Sequence, residues 1–177
     1  MKKSEIRKKI LRIRKAKNLK KIKIQPILKI LKKKSLSGKI LGGYYPYNYE
    51  LDITEILKRF EKKKFKISLP KIKVNSQMDF FPWITEDPLV INKYGIPEPI
   101  SNKIVFPDIL LVPLVAFDDN LNRVGYGGGF YDRYIKKLRK KKNIITIGLA
   151  YSFQKVKQIQ TNKHDIKLDF IVTEKEN

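Results

Sequence analysis

The 177-residue sequence predicts a single α/β domain spanning residues 1–177, a mainly parallel sheet with helices on both faces. Short apolar runs alternate with segments of helical period, which is the pattern of βαβ units. One run, "ILLVPLVAFD" from Ile109 to Asp118, is apolar almost throughout, as a strand buried on both faces must be. No internal repeat and no disordered linker divides the chain, whose length suits one domain.

The elements follow in order. "MKKSEIRKKILRIRKAKN" carries Ile6, Ile10 and Ile13 near helical spacing and reads as a basic first helix. It is poor in serine, contains Glu5 and lacks a continuous apolar core, which argues against a targeting peptide. "KILGGYY" around Ile40 reads as a short strand. "DITEILKRFEKKK" reads as a helix capped by Asp52 with Glu55 three residues on, and Ile53, Ile56, Leu57 and Phe60 form its apolar face. "FKISLP" is extended and is expected to stop at Pro70. Residues 71–99 read as loop, because Pro82, Pro88, Pro97 and Pro99 break any helix. After the apolar run come a glycine cluster, a helix "YDRYIKKLRKKK", a buried strand "NIITIGLAY" and a last strand "LDFIVTE".

Composition narrows the function classes. There is no cysteine, hence no disulfide and no thiolate metal site, which suits a cytoplasmic location. No apolar run approaches the ~20 residues that cross a bilayer, so no membrane partner is expected. Lys and Arg number 40 against 17 acids, a net charge of +23. Such a charge fits a nucleic-acid binder. The lysines are spread over nearly every segment of a chain rich in Lys, Ile and Asn, however. We therefore read the charge as compositional drift and expect no specific nucleic-acid partner. The expected assembly is a monomer or a weak homo-oligomer.

Glycine is sparse, with 9 in the chain, yet Gly125, Gly127, Gly128 and Gly129 fall together in "RVGYGGGFYDRY". The cluster follows a central strand and precedes a helix, the edge of an α/β sheet where ligands bind. Glycines tolerate positive φ and close approach, and successive N–H groups before a helix form a nest for an anion. Neither the Walker spacing nor the dinucleotide fingerprint is present. Arg123 and Arg133 flank the cluster and Asp132 lies within it, a set that suits a phosphate with its magnesium.

"PDILLVPLVAFDDNLNRVGYGGGFYDRYI" resembles the signature region of the 5-formyltetrahydrofolate cyclo-ligases, also called methenyltetrahydrofolate synthetases. The outlying motifs occur in the family's order: Lys3 and Arg7 four residues apart, "YYPYNYELDI", "LPK" at Leu69–Lys71, Met78 to Phe80, and "GIPEP" at Gly95–Pro99. Phe130 stands where the family usually has tyrosine, and Ile53 where it has threonine.

The resemblance implies a fold similar to the ribose-phosphate isomerase and CoA transferase type. It also implies ATP- and Mg²⁺-dependent conversion of 5-formyltetrahydrofolate to 5,10-methenyltetrahydrofolate. The formyl oxygen is phosphorylated, N10 closes the ring, and ADP and phosphate are released. On this reading Lys3, Arg7, Gly125, Tyr126, Gly127, Gly128, Gly129, Phe130, Tyr131 and Asp132 bind ATP, and Arg123 is the catalytic cation on the transferring phosphate. Tyr45, Glu50 and Tyr94 bind the folate. Asp132 and Asp169 hold the metal. His164, the only histidine, reads as structural or surface.

Overall fold

The computed structural model describes residues 1–17, 22–33, 39–73 and 77–175. The elements are α1 (Lys3–Ala16), α2 (Gln25–Lys33), β1 (Ile40–Gly42), α3 (Thr54–Lys62), β2 (Lys66–Ile72), β3 (Met78–Pro82), β4 (Leu89–Ile91), β5 (Pro97–Pro99), β6 (Ile109–Pro113), β7 (Ala116–Phe117), β8 (Arg123–Val124), α4 (Phe130–Arg139), β9 (Ile145–Ala150) and β10 (Phe170–Thr173). A six-stranded sheet runs in the order β10-β9-β6-β1-β2-β3 and is parallel except for β3 at one edge. No helix among the described residues is long and apolar enough to cross a membrane.

Strand β6 shows why its sequence is apolar without alternation. Ile109 and Leu111 join Ile27, Leu31, Leu57 and Phe60 of α2 and α3 on one face. Leu110 and Val112 join Tyr134, Ile135 and Leu138 of α4 on the other. Each such fully buried aliphatic side chain contributes about 1.5–3 kcal/mol. Helix α1 packs instead on the β7–β8 ribbon, through Ile6 and Ile10 against Val115, Ala116 and Val124.

The structure changes three local expectations. Strand β2 runs through Pro70 to Ile72. The Lys73–Gln77 and Trp83–Ile67 backbone bonds fix the β2–β3 register, which makes Pro70 and Phe80 a non-hydrogen-bonded pair. The missing N–H of Pro70 therefore faces the β1 side, where pairing has already ended at Gly42–Ser68. The region 71–99 is not loop throughout: it holds β3 and the β4–β5 hairpin, while residues 74–76 lie outside the described set. Prolines exclude helix, but they are tolerated on edge strands. Finally, helix α3 begins at Thr54, and Asp52 Oδ1 accepts the Thr54 N–H at 2.9 Å, an Asx turn in place of the expected capping box.

Candidate active site

Strand order reverses between β1 and β6, since β2 follows β1 on one side while β9 and β10 follow β6 on the other. Ligands of open α/β sheets bind at the carboxyl edge of such a switch point. There the structure has a cavity of about 790 Å³, lined by Tyr44 and Tyr45 after β1, Pro113 at the end of β6, and the glycine stretch.

The glycine end is built from backbone strain that only glycine accepts cheaply. Gly127 has φ 107° and Gly129 φ 64°, and α4 starts at Phe130 immediately after. A Cβ on Gly128 would lie 2.5 Å from the Phe130 ring, so that ring is packed down onto the glycine backbone. Arg133 lies over the same ring, 5.4 Å from its centroid, and donates to the Gly128 carbonyl at 2.9 Å. From α1, Arg7 Nε donates to the Gly125 carbonyl at 2.7 Å, and Lys3 pairs with Asp165. The i, i+4 spacing of Lys3 and Arg7 does bring both to this cavity.

Arg123 is 7% exposed. Its Nη2 donates to Asp132 Oδ1 at 2.8 Å and its Nη1 to the Ile166 carbonyl. Burial pulls the guanidinium pKa down, and the Asp132 carboxylate opposes that pull. Asp132 Oδ1 also accepts the Ile166 N–H at 3.0 Å. Arg123 and Asp132 both line the cavity, joined as a pair that ties α4 to the segment before β10.

The other end carries Glu50, Tyr45 and Tyr94, the last on the turn of the β4–β5 hairpin. Glu50 Oε2 accepts the Tyr47 N–H at 2.9 Å. Burial pushes the Glu50 carboxyl up to about 7, opposed by that N–H, by Arg14 and by the Tyr126 hydroxyl. The Tyr44 hydroxyl donates to the Leu51 carbonyl at 3.1 Å, and its pKa is raised by burial and by Glu50. The Tyr131 hydroxyl is buried without a hydrogen-bond partner among the described residues, so it remains a donor for a ligand.

The cavity thus gathers the sequence-nominated residues Lys3, Arg7, Tyr45, Glu50, Tyr94, Arg123 and 125–132. It does not gather Asp169. That residue precedes β10 at the amino edge of the sheet, where its N–H meets the Thr146 carbonyl beside the start of β9. Its carboxylate accepts from Arg139, Thr146 N–H and Thr146 Oγ1. The expectation that Asp169 shares a metal with Asp132 is therefore corrected: parallel strands put their amino ends on the edge away from the glycines. The second carboxylate near the glycine end is Asp165. His164 is exposed at the cavity rim.

Sequence reasoning missed Tyr44, Glu98, Asp165 and Arg14. Glu98 is 8% exposed and lines the cavity, with its carboxylate on Ile72 N–H and Asn92. A faint signal existed for Arg14: it follows Lys3 by eleven residues, about three helical turns, and so shares its face.

The family model described as the 5-formyltetrahydrofolate cyclo-ligase family matches residues 1–174. A 5-formyltetrahydrofolate cyclo-ligase of Haemophilus influenzae is 33% identical over 138 residues, covering 74% of this chain and 73% of its own. That of Escherichia coli K12 is 31% identical over 137 residues, covering 73% and 75%. The 5,10-methenyltetrahydrofolate synthetase structure from Aquifex aeolicus superposes with a TM-score of 0.80 at 31% identity, covering 99% of this chain and 91% of that one. The Mycoplasma pneumoniae synthetase gives 0.76 at 26%, covering 99% and 100%. With a match that takes in α1, the glycine stretch and the last strand together, the chain belongs to the 5-formyltetrahydrofolate cyclo-ligase family.

Proposed function

We propose that this protein converts 5-formyltetrahydrofolate to 5,10-methenyltetrahydrofolate at the expense of ATP, within the cavity between β1 and β6. One observation carries the residue roles: a single cavity holds a cationic glycine nest at one end and a carboxylate among tyrosines at the other. ATP supplies the phosphoryl group that makes the formyl oxygen a leaving group, after which N10 closes the ring and ADP and phosphate depart.

The chain's own task is to hold, align and neutralise. The N–H groups from Gly125 to Phe130, at the N-terminus of α4, face the phosphates. Arg7, Lys3 and Arg133 supply positive charge over that nest. Arg123 fixes the Asp132 carboxylate and keeps positive charge beneath the phosphoryl group. Glu50 accepts the paired N–H groups of the pterin, and Tyr94 and Tyr45 flank the ring system. No side-chain nucleophile is needed.

Mg²⁺ prefers one or two carboxylates together with phosphates and waters. Asp132 and Asp165 each already neutralise a cation, and no group of three or more His, Cys, Asp or Glu side chains placed to hold a metal occurs among the described residues. The residues fit an ion brought by the nucleotide: Asp132 would hold it, and it would offset the negative charge of the phosphates.

The test is to mix purified protein, 5-formyltetrahydrofolate and Mg-ATP and follow the near-ultraviolet absorbance of the methenyl product. Product that requires both substrates, with ADP released in equal amount, is the expected result. A well-folded protein that makes none under these conditions overturns the assignment.

A further inference from the structure

A buried carboxylate ties the β4–β5 hairpin to the main sheet. Val90 and Ile91 of the hairpin are exposed, so apolar burial alone sets its place weakly. Glu98, between Pro97 and Pro99 on β5, is 8% exposed and makes no ion pair among the described residues. Burying a carboxyl group without a cation is costly unless N–H groups satisfy it. Glu98 Oε1 accepts the Ile72 N–H at 2.8 Å and Asn92 Nδ2 at 2.7 Å. Ile72 ends β2, so the first of these bonds joins the hairpin to the six-stranded sheet.

The second bond points onward. Asn92 Oδ1 accepts the Tyr94 N–H at 2.8 Å and the Ile96 N–H at 3.1 Å. These two donors demand an oxygen, so the Asn92 amide has one orientation, with Nδ2 turned to Glu98. The backbone closes the same turn, with Asn92 N–H on the Ile96 carbonyl at 3.0 Å and Gly95 N–H on the Asn92 carbonyl at 2.9 Å. Tyr94 thus stands on a turn fastened to Ile72 through Asn92 and Glu98. Ile72, Tyr94, Ile96 and Glu98 all line the cavity. Tyr94 is 48% exposed, so the turn rather than packing sets where its ring stands.

We propose that Glu98 is a positioning residue: through the Asn92 amide it fixes the turn that carries Tyr94 at the folate end of the cavity. Its consequence for folate binding rests on the reading of Tyr94 given above; its effect on the Tyr94 ring does not. The competing explanation is purely structural, with Glu98 fastening β5 to β2 and the turn held by its own backbone bonds.

The experiment labels the full chain with 3-fluorotyrosine and records ¹⁹F NMR spectra free of ligands. Tyr94→Phe assigns the Tyr94 signal among the nine tyrosines. In Glu98→Ala the Tyr94 signal moves toward its position in the urea-unfolded chain, while those of buried Tyr134 and Tyr151 hold. Glu98→Gln keeps the Tyr94 signal near wild type, because both bonds fall on one oxygen and an amide carbonyl can accept both. Folate binding is titrated alongside. Loss of a fixed aromatic face weakens 5-formyltetrahydrofolate binding by Glu98→Ala about 2- to 12-fold, and this loss disappears in the Tyr94→Ala background.

A Tyr94 signal in folded Glu98→Ala equal to wild type overturns the proposal. If that variant does not fold, Glu98→Met, which fills the same space without accepting, decides in the same two ways. A folate loss of undiminished size in the Tyr94→Ala background overturns the route through Tyr94. If the ¹⁹F signal moves while Glu98→Ala and Tyr94→Ala both bind folate as wild type does, the positioning stands and the assignment of Tyr94 to the folate falls.

Discussion

Gly127→Ala separates the glycine nest from an ordinary tight turn. At φ 107° an alanine costs on the order of 1–3 kcal/mol in backbone strain. Crowding adds little, because the new methyl would meet only the Arg7 guanidinium, at 3.6 Å. Residue 127 is exposed, so the free loop can relax and stability changes little. The strain then returns when a nucleotide demands the original loop, and ATP affinity falls about 5- to 150-fold. Calorimetric titration with a non-hydrolysable ATP analogue measures this directly. Gly95→Ala is the comparison, with φ 76° and nothing within 4 Å of the added methyl, on the turn of the β4–β5 hairpin. It carries similar strain away from the nest and retains wild-type ATP affinity. Nucleotide binding by Gly127→Ala within about twofold of wild type, or an equal loss in Gly95→Ala, would refute the assignment of these N–H groups to phosphate.

Glu50→Gln removes one charge-assisted acceptor, so 5-formyltetrahydrofolate binding weakens about 10- to 150-fold while ATP binding holds, as read by separate titrations. The same variant has a pH signature in stability. Glu50 is raised from 4.5 to about 7 by burial, so the folded state holds the extra proton between those values and stability declines as pH rises through that window. Above it the wild type carries a buried charge that Gln lacks. Glu50→Gln therefore melts higher than wild type above pH 7 and equally below the window, which a thermal-melt series checks. Arg123→Lys keeps the charge but cannot donate to Asp132 and the Ile166 carbonyl in one plane; a stability loss on the order of 2 kcal/mol by urea unfolding is expected, with turnover falling as well. Asp169→Asn leaves the Mg²⁺ dependence of turnover unchanged and costs at most about 1 kcal/mol of stability, since its partner Arg139 is 36% exposed. A shifted Mg²⁺ requirement in that variant would restore Asp169 to the metal site.

The parts of the fold that were legible are those where one force dominates. Ile109–Val112 are buried on both faces, so hydrophobicity alone marks the strand, and α3 and α4 carry apolar faces at helical period. Strands β3 and β5 were illegible because each contains proline, which removes a donor, and β4 because its three residues follow Pro88 and pair only with β5. In the site, Gly127 and Gly129 were legible because positive φ selects glycine. Asp169 misled because the resemblance alone placed it with the metal, while its position directly before β10 puts it on the amino edge of the sheet. Arg14 was hidden among neighbouring Lys and Arg side chains; what distinguishes it is burial, which depends on β7, β8 and the glycine stretch folding over α1.

The two ends of the cavity differ in sign, and this difference can orient the reaction without any nucleophile. On the proposed roles, phosphates bind the N–H groups and cations at the glycine end, and the pterin, rich in N–H donors, binds Glu50. Opposed preferences of this kind fix which end of each substrate enters, and alignment alone can be worth about 7–11 kcal/mol of a bimolecular barrier. Tyr126 touches both ends: it belongs to the glycine stretch, and its ring meets that of Tyr47, whose N–H donates to Glu50. On the proposed roles, a nucleotide that orders the stretch around Gly127 also settles Tyr126 and, through Tyr47, the turn that carries Glu50. On that assignment, strain at Gly127 bears on the second substrate as well as on ATP. Gly127→Ala should accordingly reduce the gain in folate affinity that bound nucleotide provides, even where the affinity of the free protein for folate is unchanged.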